Sequence, residues 1–246
     1  MTWVKICGIT NIEDALTAVD AGADALGFVF YEKSPRNITT KMAREIVQQL
    51  PARIEKVGVF VTSHMDDYVS IIEEAGLTAS QIHMALHMEP NAGRLGATAY
   101  GSGCFPPGFK SYWSLPAAFF IENESGARNF IASLIEMRTR FQSQPEGEMF
   151  ARFFETIFVD SGTLEQPGGT GKFFNWEKAS EIFEYLKRTT RVVVAGGLTP
   201  DNVDDAIRIL HPWGVDVSSG VEASPGKKDP QKVRAFVQAV RRSENN

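Results

Sequence analysis

Cysteine is nearly absent from this sequence: 246 residues carry two, Cys7 and Cys104. That excludes a disulfide framework, and both read as free thiols in a reducing cytoplasm. Long apolar runs are missing too. The longest, Ala25 to Tyr31 and Val192 to Ala195, are strand-sized, far short of the roughly 18 residues of a membrane-crossing helix. The opening MTWVKICGIT is interrupted by Lys5, whereas a secretory signal needs about 7 to 15 continuous apolar residues. Basic clusters are sparse. The formal net charge is −5, and Lys227-Lys228 and Arg241-Arg242 read as ordinary solvated surface. Neither nucleic acid nor a membrane is an expected partner. His83 and His87 have the spacing of a helical metal pair, but Met84 stands where a zincin needs glutamate. No metal and no cofactor are expected.

What is present is ordinary globular composition, 43% hydrophobic and 22% charged, which excludes a disordered or low-complexity chain. Short β-branched runs alternate with segments of helical period. The strands expected are Trp3–Cys7, Ala25–Phe30, Lys56–Val61, Ser80–Met84, Ala117–Ile121, Thr156–Asp160, Arg191–Ala195 and Val215–Ser218. They are apolar on both sides of the alternation, as parallel strands buried on both faces must be. Asn11 caps a first helix stopped by Gly22; Thr39 or Thr40 opens a second that ends before Pro51; a third covers about 65–75. Later helices are expected over about 126–141, 175–188, 200–210 and 229–242, the last three opened by Asn175, Thr199-Pro200 and Asp229-Pro230.

Eight such units in one α/β chain of this length predict a single-domain (β/α)8 barrel over 1–246. A doubly wound sheet would want a Gly-rich dinucleotide loop where Cys7-Gly8-Ile9-Thr10 stands. Two stretches depart from the pattern. Residues 87–116 are rich in Gly, Pro and aromatics, read as a short helix near 90–95 followed by a long loop; residues 140–152 read as an inserted excursion.

In a barrel the carboxyl ends of the strands converge on one face, where active sites form. Those ends carry Lys5-Ile6-Cys7-Gly8, Gln81 and His83, Asp160-Ser161, Gly196-Gly197, and Asp216 to Gly220. Phosphate sites in barrels commonly use the loops after strands seven and eight, where glycines let backbone donors approach an anion. Gly196, Gly197, Ser218, Ser219 and Gly220 are the candidates there.

The ordered set KICGIT, GFVFYEKSPRNIT, QIH, FVDSG with GGTGKFFNW, AGGLTPDNV and GVDVSSGVEASPGKKDP closely resembles the phosphoribosylanthranilate isomerase family of tryptophan biosynthesis. The resemblance implies an Amadori rearrangement of N-(5'-phosphoribosyl)anthranilate to the 1-deoxyribulose phosphate, without a cofactor. It implies Cys7 as the base at the sugar C2 and Asp160 as the acid at the ring oxygen. It places Arg36 on the anthranilate carboxylate, a task for which a guanidinium offers two parallel bonds. His83 is expected to line that end of the pocket and Asp216 to touch the sugar hydroxyls. Cys7 would need a modest downward pKa shift to act at neutral pH, and Asp160 an upward one.

Where the family continues with Gly and an acidic helix start, Met84-Ala85-Leu86-His87 follow here. Two further readings stay open: another phosphate-binding barrel, such as a histidine-pathway sugar isomerase or a pentose-phosphate epimerase, and a barrel that binds a phosphorylated metabolite without turning it over. The expected partner is a small-molecule substrate, with the chain a monomer or a homodimer.

Overall fold

A computed structural model describes residues 1–61, 66–83, 108–122, 125–126, 128–129, 131–133, 136, 155–162 and 173–244. Eight parallel strands close into a barrel in sequence order. They are β1 (Trp3–Cys7), β2 (Ala25–Phe30), β3 (Glu55–Phe60), β4 (Ala79–His83), β5 (Lys110–Pro116), β6 (Thr156–Asp160), β7 (Arg191–Val194) and β8 (Gly214–Val217). Closure is made by β1 against β8, with Val4 opposite Val215 and Lys5 opposite Asp216.

The helices begin where local chemistry supplies a cap. Asn11 accepts from the Asp14 N–H to open α1 (Ile12–Ala21), which Gly22 ends in the left-handed conformation. Thr39 caps α2 (Thr40–Val47), and α3 spans Asp66–Ala75. Asn175 caps α5 (Trp176–Leu186), and Asp229 with Pro230 opens α7 (Pro230–Ser243). The helix α6 (Val203–Leu210) starts at Val203 and not at Thr199-Pro200. Asn202 holds the preceding turn instead, accepting from the Thr199 N–H at 2.8 Å and donating to the Gly197 carbonyl at 3.0 Å.

The fifth strand is the main correction. Ala117–Ile121 is not a strand but a short helix, α4, and the preceding Lys110–Pro116 forms β5. The loop-rich stretch therefore ends before Lys110. Five apolar residues cannot declare a period, so AAFFI fits either element. KSYWSLP hides its strand character behind two serines, one of which spends its polarity on the sheet: Ser111 Oγ lies 3.1 Å from Ser80 Oγ on β4. The short helix near 90–95 and the excursion at 140–152 lie outside the described residues. Between 125 and 136 the described positions are helical.

Alternation sorts the strand side chains into two shells. Val4, Ile6, Leu26, Phe28, Ile157, Val159, Val192, Val194, Val215 and Val217 face outward under the helices, all at most 2% exposed, each worth about 1.5–3 kcal/mol by burial. Ala25, Val57, Ala79, Tyr112, Phe158 and Val193 fill the interior toward the amino-terminal end. Above them the inward positions turn polar: Lys5, Gln81, His83, Ser114, Asp160 and Asp216 are all buried. Barrel interiors are normally filled by branched apolar residues, so this layer needs another explanation. No helix among the described residues is long and apolar enough to cross a membrane.

Candidate active site

Strand ends bring most of the predicted site residues into one electrostatically connected cluster. Cys7 and Lys5 share the inner face of β1 because they lie two residues apart on a strand. Lys5, with no exposed surface, donates to Asp216 on β8 through a 2.9 Å bond between Nζ and Oδ1. It also interacts with the Cys7 sulfur and with Asp160 on β6. His83 and Asp160 both act on Asp216. Facing Cys7 across β2 is Gly27, where a Cβ would sit 2.7 Å from the sulfur and 3.0 Å from Lys5 Cε. Only glycine leaves room for both side chains.

The titration of these groups follows from burial. Burial pushes the Asp160 carboxyl up, against the Gly162 N–H that donates to its Oδ1 at 2.7 Å and against Lys5. This is the direction expected of an acid. Burial also pushes Asp216 up, with Lys5 opposing. Burial likewise raises the Cys7 thiol, and the nearby Lys5 reverses only part of the rise. A thiol shifted downward by its surroundings is therefore not what the barrel provides, because desolvation outweighs the cation. His83 falls to about 4, through burial first and the Lys5 charge second, and stays neutral at pH 7.

Arg36 reaches the same face from the loop after β2, where Ser34 Oγ accepts its backbone N–H at 3.1 Å. Its fork is already engaged: Nε and Nη2 each donate to Glu222 at 2.8 Å. Those bonds use two of the five guanidinium N–H groups, and the far end, with one N–H each from Nη1 and Nη2, still offers two parallel bonds to a second carboxylate. Glu222 also accepts from Lys228 Nζ at 2.9 Å, and Lys228 donates to the Ser218 carbonyl at 3.2 Å.

Lys228 is thus not solvated surface but 1% exposed. Arg241 is no simple surface charge either, since it donates to the Thr2 and Gly22 carbonyls and to Asp24. Glu222 and Lys228 were missed in the sequence, although a signal exists. They flank the Pro225-Gly226 turn and stand opposite each other in the two-stranded ladder of β9 (Glu222–Ser224) and β10 (Lys227–Lys228). Gln81 was noted, but nothing in the sequence shows that its Oε1 and Ser114 Oγ are buried without a hydrogen-bond partner among the described residues.

The phosphate candidates are drawn together as well. Gly196 and Gly197 both have positive φ, 82° and 67°. A Cβ at Gly196 would collide with Ser161, and one at Gly220 with the Leu198 carbonyl, so the loop after β7 packs directly on those after β6 and β8. Ser219 and Gly220 lie in a single 3-10 turn, Ser219–Val221. Ser218 turns its hydroxyl toward β1 and donates to the Cys7 carbonyl at 3.1 Å. His87, Cys104 and most of the segment GGTGKFF lie outside the described residues.

Comparison with known proteins agrees with this geometry. The sequence profile of the N-(5'-phosphoribosyl)anthranilate (PRA) isomerase family matches residues 4–94 and 122–239. N-(5'-phosphoribosyl)anthranilate isomerase of Geotalea uraniireducens is 39% identical over 98% of this chain and 99% of its own. The Pelobacter propionicus enzyme of the same name is 38% identical over 98% and 96%. Among solved structures, phosphoribosyl anthranilate isomerase from Thermotoga maritima superposes with a TM-score of 0.71 at 34% identity, covering 98% of this chain and 99% of that one. Another phosphoribosyl anthranilate isomerase structure, in complex with reduced 1-(o-carboxyphenylamino)-1-deoxyribulose 5-phosphate, superposes at 0.69 and 33% identity with the same coverage. A closed eight-stranded barrel, a thiol and a carboxyl at strand ends and full-length similarity lead to one conclusion: the chain belongs to the phosphoribosylanthranilate isomerase family.

Proposed function

We propose that this protein converts N-(5'-phosphoribosyl)anthranilate into 1-(2-carboxyphenylamino)-1-deoxyribulose 5-phosphate. The observation that carries the reading is a buried carboxyl held toward its protonated form, Asp160, in the same cluster as a buried thiol beside a cation. Asp160 gives its proton to the furanose oxygen as the C1–O bond breaks, leaving an iminium at C1. The Cys7 thiolate takes the proton from C2. The C–H electrons become the C1=C2 bond, and those of the C=N bond return to nitrogen. The resulting enol becomes the ketone when C1 takes a proton from the Cys7 thiol and the C2 hydroxyl gives its proton up to the Asp160 carboxylate, which restores both groups. Electrons move only within the substrate, so the reaction requires no cofactor.

Binding falls to the groups around this pair. Arg36 meets the anthranilate carboxylate through the free end of its guanidinium, Nη1 and the second N–H of Nη2, oriented by Glu222. The backbone of Gly196-Gly197 and Ser219-Gly220 takes the phosphate, with Ser218 tying that loop to β1. Neutral His83 lines the pocket, and Asp216 acts through Lys5. A reducing cytoplasm suits this chemistry, since the base must remain a thiol.

The test is a fluorescence assay in which a transferase generates phosphoribosylanthranilate in place from anthranilate and phosphoribosyl pyrophosphate. Rapid consumption by the purified protein is expected; a folded protein that leaves the substrate untouched rejects the reading in favour of a binding-only barrel. In the same assay Arg36→Ala is expected to raise KM about ten- to a hundredfold with a smaller change in kcat, the mark of lost ground-state binding. An unchanged KM removes Arg36 from the substrate.

A further inference from the structure

Lys5 is a charged side chain in a place that barrels usually fill with apolar ones. Its side chain has no accessible surface, and its partner Asp216 is 9% exposed at 2.9 Å. Such a pair is poor value as a source of stability, because desolving two ions cancels much of their attraction and a well-packed apolar pair does as well. What the pair does achieve is a fixed positive charge beside the thiol. Gly27 touches both: a Cβ there would lie 2.7 Å from Cys7 Sγ and 3.0 Å from Lys5 Cε. The sulfur and the lysine stem are therefore no further apart than those two short distances laid end to end. Phe158 closes the underside, its ring centroid 5.2 Å from Nζ, which keeps the surroundings dry and the field strong.

We propose that Lys5, anchored on Asp216, is a positioning residue for Cys7: its ammonium supplies the buried positive charge against which the thiol gives up its proton. This rests on the reading of Cys7 as the base. The charged groups acting on the sulfur are Lys5 from the same strand, Asp216 from β8 and Lys228 from β10, and Arg36 from the β2 loop responds to it in turn. Of these, Lys5 exerts the strongest pull toward the thiolate and Asp216 the main opposing push. The anchor therefore has two effects of opposite sign, since Asp216 holds Lys5 in place while competing with the sulfur for its charge.

The experiment titrates the thiolate by its ultraviolet absorbance in a Cys104→Ser protein, taken as the difference from the same protein carrying Cys7→Ser. Lys5→Met is expected to move the Cys7 midpoint up by about one to two pH units, and kcat/KM at neutral pH to fall about ten- to a hundredfold with it. Asp216→Asn is expected to move the midpoint down. Because Lys5→Met leaves Asp216 without a partner, the double variant Lys5→Met/Asp216→Asn serves if the single one does not fold; its midpoint is also expected to rise. A midpoint unmoved in folded Lys5→Met, or in the double variant, overturns the proposal. The titration needs no substrate, so a failure of the isomerase reading would show separately, as a wild type with the shifts intact but without turnover.

Discussion

Cys7→Ser is expected to fold as the wild type does and to lose turnover by a factor on the order of 10²–10⁴. The substitution keeps the shape of the side chain, so the close contact with Gly27 and the small apolar group of Cys7, Val29 and Val59 are hardly disturbed. What changes is acidity. A serine hydroxyl does not ionise near neutral pH, and the Lys5 charge that partly offsets the desolvation of the thiol cannot bridge that gap. The loss should fall on kcat, because the sulfur acts on a proton that moves only in the reaction. Circular dichroism and thermal melting establish the fold, and the fluorescence assay gives the rate. Turnover within a few-fold of wild type would remove Cys7 as the base.

Asp160→Asn is expected to cost a similar factor, and it also changes the shape of the pH profile. The amide oxygen can still accept the Gly162 N–H, so the loop geometry survives while the transferable proton is gone. On the mechanism proposed above, the active form of the wild type needs Asp160 protonated and Cys7 ionised. Burial raises both groups; with the carboxyl titrating below the thiol, their ordinary order, this active form is a minority at every pH. As pH falls below the Asp160 pKa, the carboxyl is already protonated and only thiolate is lost, so kcat/KM drops. Between the two pKa values the gain in thiolate cancels the loss of acid, giving a plateau. Above the Cys7 pKa the thiolate is complete and only acid is lost, so the rate drops again. The acidic limb therefore reports Asp160 and the alkaline limb Cys7. The residual activity of Asp160→Asn should climb with pH to an alkaline plateau, with no descending limb. A descending limb retained in that variant would reject the assignment.

Much of this site was legible in the sequence because the barrel turns position along the chain into position in space. A residue that ends a strand lies at the catalytic face whatever its neighbours are, so Cys7, His83, Asp160 and Asp216 could be named from periodicity and motif alone. Helix starts were legible at Asn11, Thr39, Asn175 and Asp229 because a cap is a contact across two or three residues. The same locality failed at β5, where AAFFI and KSYWSLP carry no decisive period and strand pairing with β4 and β6 decides the matter.

The sequence by itself determined the barrel and the alternation of its units, which follow from short-range pattern, and the resemblance of its motifs singled out Cys7 and Asp160 as the base and acid proposed here. Only the tertiary structure decided how those groups are charged and held. Lys5 meets Asp216 across 211 positions, and Arg36 meets Glu222 across 186. Burial, which no single position in the chain specifies, sends the Cys7 thiol up when its chemistry would have it down. Residue type sets what a side chain can donate, accept or ionise, but the free energy of its charge depends on the solvent it has lost and the partners it has gained, and both are properties of the folded whole.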